Sequence, residues 1–383
     1  MRSQATKNNS ITSFMQRALD LARKAQGRTS PNPPVGAVVV KNGQIIGEGH
    51  TQPAGSWHAE VMALRQAGSA ARGATMYVTL EPCCHYGRTP PCTRALIDAG
   101  LAEVHVATLD PNPRVSGNGL NELEGAGIIV RLGEAEDEAK EIVEGFAKYI
   151  TTGTPFFTLK WAMSLDGKIA TRTGESKWIT GESARAFAHR LRDANDAIIV
   201  GMNTVLLDDP QLNVRVETGR AHRQSDPLRV VVDTAGRIPL DAQLLSPALA
   251  GRTLIATTER CDQARREEIA RRGAEALVLP ESRGRVDLSA LAHALAARGI
   301  VNVMVEGGGA LLASMLEEGL ADKVYAFVGP KIIGGREAPG PIGGAGTAAI
   351  AEVPRLERTS FQRLGEDHVI VGYICRPETR SLL

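Results

Sequence analysis

The first half of the chain alternates short apolar runs with segments of helical periodicity. Apolar residues recur at helical spacing from Ile11 to Gln26, and the unbroken apolar run Val35–Val40 is typical of a buried strand. The hairpin signal Asn42-Gly43 follows, and a return strand begins at Gln44–Gly47. Further helices are predicted at His58–Ala71, Cys92–Ala99 and Glu134–Ile150, and further strands at Ala74–Leu80 and Glu103–Leu109. This alternation predicts an α/β fold whose mostly parallel sheet is covered by helices on both faces.

The segment Thr151–Pro155 interrupts this pattern with small, polar and turn-forming residues. Because 383 residues exceed the size of one ordinary core, we predict two domains, residues 11–150 and 155–383. Strands of the second domain are predicted at Phe156–Met163, Ala197–Val200, Leu228–Val232, Thr253–Ala256, Ala276–Leu279, Val301–Val305 and Lys323–Val328. Helical patterns between several of them, such as Ser183–Leu191 and Leu288–Ala297, predict a second α/β core.

Charge and composition narrow the class of protein. The 44 basic and 43 acidic residues give a net charge of +1, so nothing in the charge favours a nucleic-acid or membrane partner. Met1–Ser10 is expected to be a disordered polar tail rather than an apolar leader, and no stretch reaches the length of a membrane span. An odd count of five cysteines with metal-type spacing fits a reducing compartment, so we expect a soluble, cytoplasmic protein.

The segment Glu81–Cys92, taken with His58-Ala59-Glu60, predicts a catalytic metal site. The imidazole of His58 and the thiols of Cys83 and Cys92 are the ligands of a zinc ion whose fourth position is left to water. Glu60 supplies the proton carrier that such a water needs. Zinc deaminases show His-x-Glu followed by Pro-Cys-x-x-Cys, whereas here eight residues separate the two cysteines. Alone, a His-x-Glu tripeptide is most often a solvated helix start.

Local geometry places conditions on this site. Side chains two residues apart in mid-helix point in nearly opposite directions, so His58 and Glu60 must lie at the first turn of their helix. Cys92 likewise opens a helix after Pro90-Pro91. Two helix N-termini would then favour the thiolate forms of the ligands. Adjacent cysteines point in different directions, so Cys84 is interpreted as a packing residue.

A glycine-rich turn in the second half suggests an anion site. The strand Val301–Val305 runs into Glu306 and the glycines Gly307–Gly309, and a helix is predicted at Leu311–Glu318. Glycines let backbone amides approach a phosphate, and a helix N-terminus favours an anion. The Gly-x-Gly-x-x-Gly fingerprint is absent, and a plain turn explains the glycines equally well.

Several motifs together resemble one family. They are Asn32-Pro33-x-Val35-Gly36-Ala37, His58-Ala59-Glu60, Glu81–Cys92, Asp110-Pro111-Asn112-Pro113, Leu159–Lys168 and Glu306-Gly307-Gly308. On these motifs the chain resembles the bifunctional riboflavin-biosynthesis deaminase–reductases over nearly its whole length. The resemblance implies an N-terminal cytidine-deaminase-like three-layer domain and a C-terminal dihydrofolate-reductase-like α/β domain. The Cys83–Cys92 spacing, unusual for zinc deaminases in general, is what this family shows.

The resemblance also implies two consecutive activities. The first is zinc-dependent deamination of 2,5-diamino-6-(5-phosphoribosylamino)pyrimidin-4-one to the corresponding uracil, and the second is NADPH-dependent reduction of the ribosyl chain to ribityl. The partner is therefore a small phosphoribosyl pyrimidine, and a homo-oligomer is expected.

Site residues follow from the same resemblance. Residues implied to contact the first substrate are Asn32, His85, Arg88, Asp110 and Asn112. Residues implied to lie along NADPH are Ala162, Trp178, Thr204, Asp208, Thr234, Gly307, Gly308 and Gly309. Residues implied to lie near the sugar phosphate of the second substrate are Lys160, Ser176, Arg192, Leu212, Arg215 and Glu306. Asp208 and Lys160 are candidates for assisting the ring opening that reduction requires. Met62 and Thr51 depart from the family pattern, which often has histidines there.

Two other functions remain open at this point. One is a nucleoside or tRNA deaminase with an accessory domain, which the near-zero charge and the Gly-Arg-Thr-Pro-Pro-Cys segment disfavour. The other is a structural zinc domain joined to a small-molecule sensor. A closed structural site would need a fourth protein ligand, for which His85 is the best candidate, whereas Glu60 beside an open position indicates catalysis.

Overall fold

The computed structural model describes residues 2–87, 89–215, 226–249 and 251–375, with backbone only for residues 2–12. The chain divides into two compact units, Met1–Thr154 and Pro155–Leu383. Gly153 adopts a left-handed conformation with φ of 71° and ends the last helix of the first unit, so the pattern break seen in the sequence is a helix stop. None of the described helices is long and apolar enough to cross a membrane.

The first unit contains one five-stranded sheet. Its helices are α1 (Arg2–Ala25), α2 (Ala59–Ala67), α3 (Cys92–Ala99), α4 (Asn118–Gly125) and α5 (Glu136–Thr152). Its strands are β1 (Gly36–Lys41), β2 (Gln44–His50), β3 (Thr75–Val78), β4 (Glu103–Val106) and β5 (Ile129–Leu132). The strand order is β2-β1-β3-β4-β5, with β1 antiparallel to both neighbours and β3, β4 and β5 parallel. The predicted parallel arrangement therefore holds only from β3 to β5.

Two sequence predictions for this unit need correction. Arg2–Ser10 belongs to α1 rather than to a disordered tail; the segment contains no proline or glycine to stop the helix. The helix α4 and the strand β5 were not predicted. Ile129 and Leu132 of β5 are largely exposed, so this edge strand lacks the buried apolar run that identified the others.

Close packing between α2 and β2 sets the position of the predicted zinc residues. A Cβ atom on Gly49 would lie 2.2 Å from the carbonyl oxygen of Ala59, and one on Gly47 would lie 2.2 Å from that of Ala63. The backbone of α2 therefore rests directly on that of β2, which only glycine permits. His58, the residue before α2, is held at the end of the sheet by this contact.

The second unit is built on a nine-stranded sheet. Its main strands are β6 (Phe156–Ser164), β7 (Ala197–Gly201), β8 (Leu228–Val232), β9 (Thr253–Thr257), β10 (Glu275–Val278), β13 (Asn302–Val305), β14 (Lys323–Gly329), β15 (Arg355–Leu364) and β16 (Asp367–Cys375). A small hairpin consists of β11 (Glu281–Ser282) and β12 (Arg285–Val286). Its helices are α6 (Glu182–Ala194), α7 (Met202–Asp208), α8 (Gln263–Arg271), α9 (Leu288–Ala296) and α10 (Gly309–Glu317).

The order of this sheet is β10-β9-β8-β7-β13-β6-β14-β16-β15. The first seven strands of this order, from β10 at the edge to β14, are parallel to one another. The last two, β16 and β15, are each antiparallel to the strand before them. The central strands are buried on both faces, with Ile199, Val230 and Val303 fully or almost fully covered. Because parallel strands end at one edge of a sheet, the segments after β7, β8 and β13 meet there, where α/β folds bind ligands.

Candidate active sites

Three predicted metal ligands converge in the first unit. The ligand atoms of His58, Cys83 and Cys92 all lie within 4.8 Å of one another. The Nδ1 atom of His58 is 3.6 Å from the Sγ atom of Cys83 and 3.3 Å from that of Cys92. Zinc–sulfur bonds of about 2.3 Å and zinc–nitrogen bonds of about 2.05 Å in tetrahedral geometry separate sulfur and nitrogen by about 3.6 Å. The arrangement therefore fits a zinc ion.

The elements around these ligands explain how they are held. His58 is the N-cap of α2 and Cys92 is the first residue of α3, as the sequence predicted. The Nε2 atom of His58 lies 3.4 Å from the Thr89 hydroxyl, which leaves Nδ1 for the metal. The backbone N–H of Cys92 donates to the Sγ atom of Cys83 at 3.4 Å. Cys84 lies outside the cluster, and no fourth described His, Cys, Asp or Glu joins it.

Protonation in this cluster favours a thiolate. Hydrogen bonds from Cys92 and His58 outweigh burial and lower the pKa of the Cys83 thiol. The hydrogen bond with Cys83 raises the pKa of His58 to about 8 despite burial. Cys83 and His58 thus form a thiolate–imidazolium pair, whereas the hydrogen bond with Cys83 and burial raise the pKa of the Cys92 thiol. Zinc binding would therefore displace protons from His58 and Cys92.

Glu60 lies beside the cluster and is almost completely buried, with 3 % of its surface exposed. Burial raises the pKa of its carboxyl group, against the opposing charge of His58. Its hydrogen bond with Cys92 also places it at the ligands. A carboxyl group with a raised pKa can accept a proton and return it near neutral pH.

Glu81 is a functional candidate that the sequence reasoning missed. One of its carboxylate oxygens accepts from the backbone N–H groups of Asp110 and Gly117 at 3.1 and 2.9 Å, and the other from that of Gly119 at 2.9 Å. Gly119 also packs against the Pro82 carbonyl, which a Cβ atom would approach to 2.2 Å. Glu81 thus ties the segment 110–119 to the turn that carries Cys83. The only local signal was an acidic residue directly before Pro-Cys.

The residues implied to contact the first substrate have distinct surroundings. Burial raises the pKa of Asp110 to about 6, with further contributions from the charges of Glu81, Cys83 and Glu60. The Asp110 carboxylate accepts from the Asn112 N–H at 2.8 Å. The Nδ1 atom of His85 is buried without a hydrogen-bond partner among the described residues, as expected of a group that awaits a ligand.

Asn32 and Arg88 complete the residues implied to contact the first substrate. The Asn32 backbone closes a turn with Thr29, and its side chain is half-buried. Arg88 lies outside the described residues. Of the two departures from the family pattern, the Thr51 hydroxyl accepts from the Val35 N–H at 3.0 Å and so has a structural partner. Met62 lies on α2 against Gly49.

In the second unit, Lys160, Arg192 and Glu306 form a buried charge cluster. Arg192 donates two hydrogen bonds to the Glu306 carboxylate, at 2.5 and 2.8 Å, and Lys160 Nζ lies 3.7 Å from the same group. Burial would raise the pKa of Glu306, but the charges of Arg192 and Lys160 lower it to about 2. Burial lowers the pKa of Lys160. The structure thus brings together three residues implied to lie near the second substrate.

Arg215 joins the same region through Asn213. Arg192 donates to the Asn213 carbonyl at 3.1 Å, and Arg215 donates to the Asn213 side chain at 3.0 Å. The Arg215 backbone N–H donates to His189 Nδ1 at 3.2 Å. Ser176 donates to the Asp208 carboxylate at 3.4 Å, which pairs a residue implied for substrate with one implied for cofactor. Leu212, in contrast, is packed into a hydrophobic core, so its side chain is not available to a ligand.

A cavity of about 780 Å³ lies where β7, β8 and β13 end. Thr234, Gly308 and Gly309 line it, as implied for the cofactor. The Gly307 carbonyl accepts from the Gly201 N–H at 2.8 Å, and Thr204 Oγ1 would lie 3.3 Å from a Cβ atom on Gly308. A glycine turn at the start of α10 suits a pyrophosphate, and the volume suits a dinucleotide. The residues present therefore fit NADPH.

Some expected cofactor residues do not line this cavity. Ala162 lies on β6, and Trp178 is 62 % exposed with the Arg185 guanidinium 4.6 Å from its ring centroid. Asp208 ends α7. The cavity lining instead includes four arginines that the sequence reasoning did not single out: Arg237, Arg260, Arg283 and Arg285.

Comparisons with known proteins assign both units. Residues 8–108 match the family model of the cytidine and deoxycytidylate deaminase zinc-binding region, and residues 155–370 match that of the RibD C-terminal domain. The riboflavin biosynthesis protein RibD of Aquifex aeolicus is 46 % identical over 93 % of this chain and 96 % of its own length. RibD of Escherichia coli K12 is 41 % identical over 92 % of this chain and 96 % of its own length.

Solved structures agree over both units. RibD of Acinetobacter baumannii is 39 % identical, with a TM-score of 0.83 over 96 % of this chain and 99 % of that one. A deaminase–reductase of Thermotoga maritima is 35 % identical, with a TM-score of 0.82 and the same coverage. The match to both halves sets aside a nucleoside deaminase with an unrelated accessory domain. The chain therefore belongs to the RibD family of riboflavin-biosynthesis proteins, bifunctional enzymes that join a zinc-dependent deaminase domain to an NADPH-dependent reductase domain.

Proposed function

We propose that this chain converts 2,5-diamino-6-(5-phosphoribosylamino)pyrimidin-4-one to 5-amino-6-(5-phosphoribosylamino)uracil, and then reduces the ribosyl chain to ribityl with NADPH. The related Thermotoga maritima protein is a diaminohydroxyphosphoribosylaminopyrimidine deaminase and 5-amino-6-(5-phosphoribosylamino)uracil reductase. The observation that carries the proposal is the buried carboxyl group of Glu60 beside the converging ligand atoms of His58, Cys83 and Cys92. A purely structural zinc site has four protein ligands, so it has no open coordination position and needs no buried acid beside one.

In the first step, His58, Cys83 and Cys92 would hold the zinc ion. When bound, zinc supplies an activated water by lowering the pKa of that water toward neutrality. Glu60 accepts the proton of the attacking water and returns it to the departing ammonia. Asp110, Asn112 and Asn32 orient the pyrimidine by hydrogen bonds, and His85 and Arg88 bind the phosphate.

In the second step, hydride must reach C1 of the ribose, which requires the sugar ring to open. Lys160 and Asp208 move the proton that accompanies this opening. Burial lowers the pKa of Lys160, which brings the protonated amine closer to acting as an acid near neutral pH. Arg192, Arg215 and Ser176 lie around the sugar phosphate, with Glu306 setting the position of Arg192. Leu212 contributes its backbone, because its side chain belongs to the core.

Two variants test the assignment of one reaction to each unit. Glu60→Gln should deaminate no diaminopyrimidine yet still oxidise NADPH with the already deaminated substrate. Asp208→Asn should deaminate normally while reduction falls. Each variant serves as the folding control for the other. If folded Glu60→Gln also fails to reduce the deaminated substrate, the two steps share a site and the proposal is wrong.

We also propose that the chain forms a homo-oligomer and is located in the cytoplasm. A homo-oligomer is supported by the edge strand β15, which is exposed along nearly its whole length and presents Phe361 at 72 % exposure. Light scattering of the purified chain tests this. A cytoplasmic location is supported by the need of Cys83 and Cys92 to stay reduced as zinc ligands.

A further inference from the structure

The cavity at the ends of β7, β8 and β13 carries more positive charge than a pyrophosphate alone requires. Among the described residues, its lining contains four arginines, Arg237, Arg260, Arg283 and Arg285, and two carboxylates, Glu317 and Glu318. The glycine turn and the N-terminus of α10 are sufficient to bind the pyrophosphate of a dinucleotide. NADPH differs from NADH by one further dianionic group, the phosphate on the 2′ oxygen of the adenosine ribose.

The loop after β8 presents one of these arginines on a rigid support. The carbonyl of Thr234 accepts from both the N–H and the hydroxyl of Thr258, at 3.2 and 2.9 Å. Arg265 donates to the carbonyl of Gly236 at 2.8 Å and also to that of Ile238. The loop is therefore held by residues of the segment after β9 and of α8.

Asp233 in this loop cannot serve as a ribose acceptor. Nicotinamide enzymes that use NAD commonly place an acidic residue after a strand to bind the ribose diol. Asp233 is completely buried, and one of its oxygens accepts from the Ile238 N–H at 2.8 Å. Its other oxygen has no hydrogen-bond donor among the described residues and faces Arg237 Nε at 4.0 Å. The carboxylate thus acts on the loop and on Arg237, not on a ligand.

Of the four arginines, Arg237 and Arg283 make no side-chain hydrogen bond within the described part of the chain, and of these two only Arg237 lies on the loop after β8 that Thr258 and Arg265 hold. Its side chain is 59 % exposed, and Asp233 at 4.0 Å is its nearest charged partner among the described residues. Arg260 already donates to the Gly284 carbonyl at 3.2 Å and pairs with Glu281 at 3.9 Å. Arg285 donates to the Ser314 hydroxyl at 3.3 Å. A guanidinium with free N–H groups on a fixed loop suits a phosphate, which it can bind with two parallel hydrogen bonds.

We infer that Arg237 binds the 2′-phosphate of NADPH and selects NADPH over NADH, with Arg260 as the second cation of the same subsite. This inference rests on the proposed placement of NADPH in this cavity. Arg237 is a specificity-determining residue here and takes no part in hydride transfer.

Binding titrations with the full chain test the inference without relying on turnover. Arg237→Ala should raise the dissociation constants of NADPH and of 2′,5′-ADP by about 10- to 100-fold, because a charge-assisted hydrogen-bonded pair is lost. The dissociation constant of NADH should change by less than about twofold. Arg237→Lys should fall between the two proteins, because it keeps the charge but loses the paired donors. Arg298→Ala, an arginine outside the cavity lining, is the matched control and should bind all three ligands as the parent does.

One more variant separates failure of the inference from failure of the cofactor placement. Gly308→Val adds a branched side chain to the cavity wall beside Thr204, so it should weaken NADPH and NADH alike while thermal unfolding verifies the fold. If Gly308→Val weakens both and Arg237→Ala weakens neither, the cofactor lies in the cavity but Arg237 does not select it. If folded Gly308→Val binds both cofactors normally, the placement itself is wrong. Equal weakening of NADPH and NADH by Arg237→Ala also overturns the inference.

Discussion

Arg192 and Glu306 form a two-point ion pair inside the second unit, with N–O distances of 2.5 and 2.8 Å. Arg192 lies on α6 and Glu306 directly follows β13, so the pair joins a helix to the centre of the sheet. Lys160 adds a second cation on β6 at 3.7 Å from Glu306. The single carboxylate therefore neutralises two buried positive charges.

Glu306→Gln should lower the free energy of unfolding of the second unit by about 3–5 kcal/mol, because Arg192 and Lys160 would be left buried without a counter-charge. Urea denaturation followed by circular dichroism measures the change. Glu275→Gln is the matched control, because Glu275 pairs with Arg298 at the surface and should cost less than about 1 kcal/mol. Equal effects of the two variants would contradict the assignment.

His189 should make stability depend on pH between about 6.5 and 4. Burial, and then the charges of Arg192 and Arg215, lower the pKa of His189 to about 4. In this range the unfolded chain binds a proton that the folded chain does not, so stability falls as the pH is lowered from 6.5 toward 4. His189→Asn keeps an acceptor for the Arg215 N–H and removes the titration, so its melting temperature should fall less between pH 7 and pH 5.

A variant of a second histidine serves as the control when melting temperatures are compared between pH 7 and pH 5. His293→Asn on the exposed side of α9 should keep the pH dependence of the parent. If His189→Asn retains the full dependence as well, another group causes it.

Each of His58→Ala, Cys83→Ala and Cys92→Ala should lose zinc and deaminase activity, because three protein ligands cannot be reduced to two without loss of the ion. Cys84→Ser should retain about one zinc per chain, since its thiol lies outside the cluster. Metal analysis by mass spectrometry distinguishes the variants. Zinc lost from Cys84→Ser but kept in Cys92→Ala would reverse the ligand assignment.

Glu81→Gln should raise the KM of the deaminase about tenfold while kcat and zinc content change little. The amide presents N–H groups to at least one of three backbone donors, which loosens the segment that carries Asp110 and Asn112. Glu122→Gln is the control, because Glu122 accepts only from the Thr93 hydroxyl at 2.9 Å among the described residues. A loss of kcat with unchanged KM would show that Glu81 does not position the substrate segment.

Strands and site residues could be predicted from the sequence wherever a short run of consecutive residues carried the pattern. Leu228–Val232 was predicted with its observed bounds, because four of its five residues are apolar and three of these are consecutive valines, which is typical of a central parallel strand. The ligand motif was equally local. In contrast, β15 is exposed along nine of its ten residues and exists through pairing with β16, which no local pattern indicates. Glu81 and Arg237 were missed because their roles depend on segments that are distant in sequence.

The contact of α2 with Gly47 and Gly49 has a consequence for how this protein tolerates mutation. In a library that samples every substitution along β2, variants at the exposed positions Gln44 and Ile45 should survive selection for deaminase activity. Variants at Gly47 and Gly49 should be depleted even when the new residue is alanine, since its methyl group would push α2 off the strand. Sequence divergence in β2 is thus confined to its exposed end.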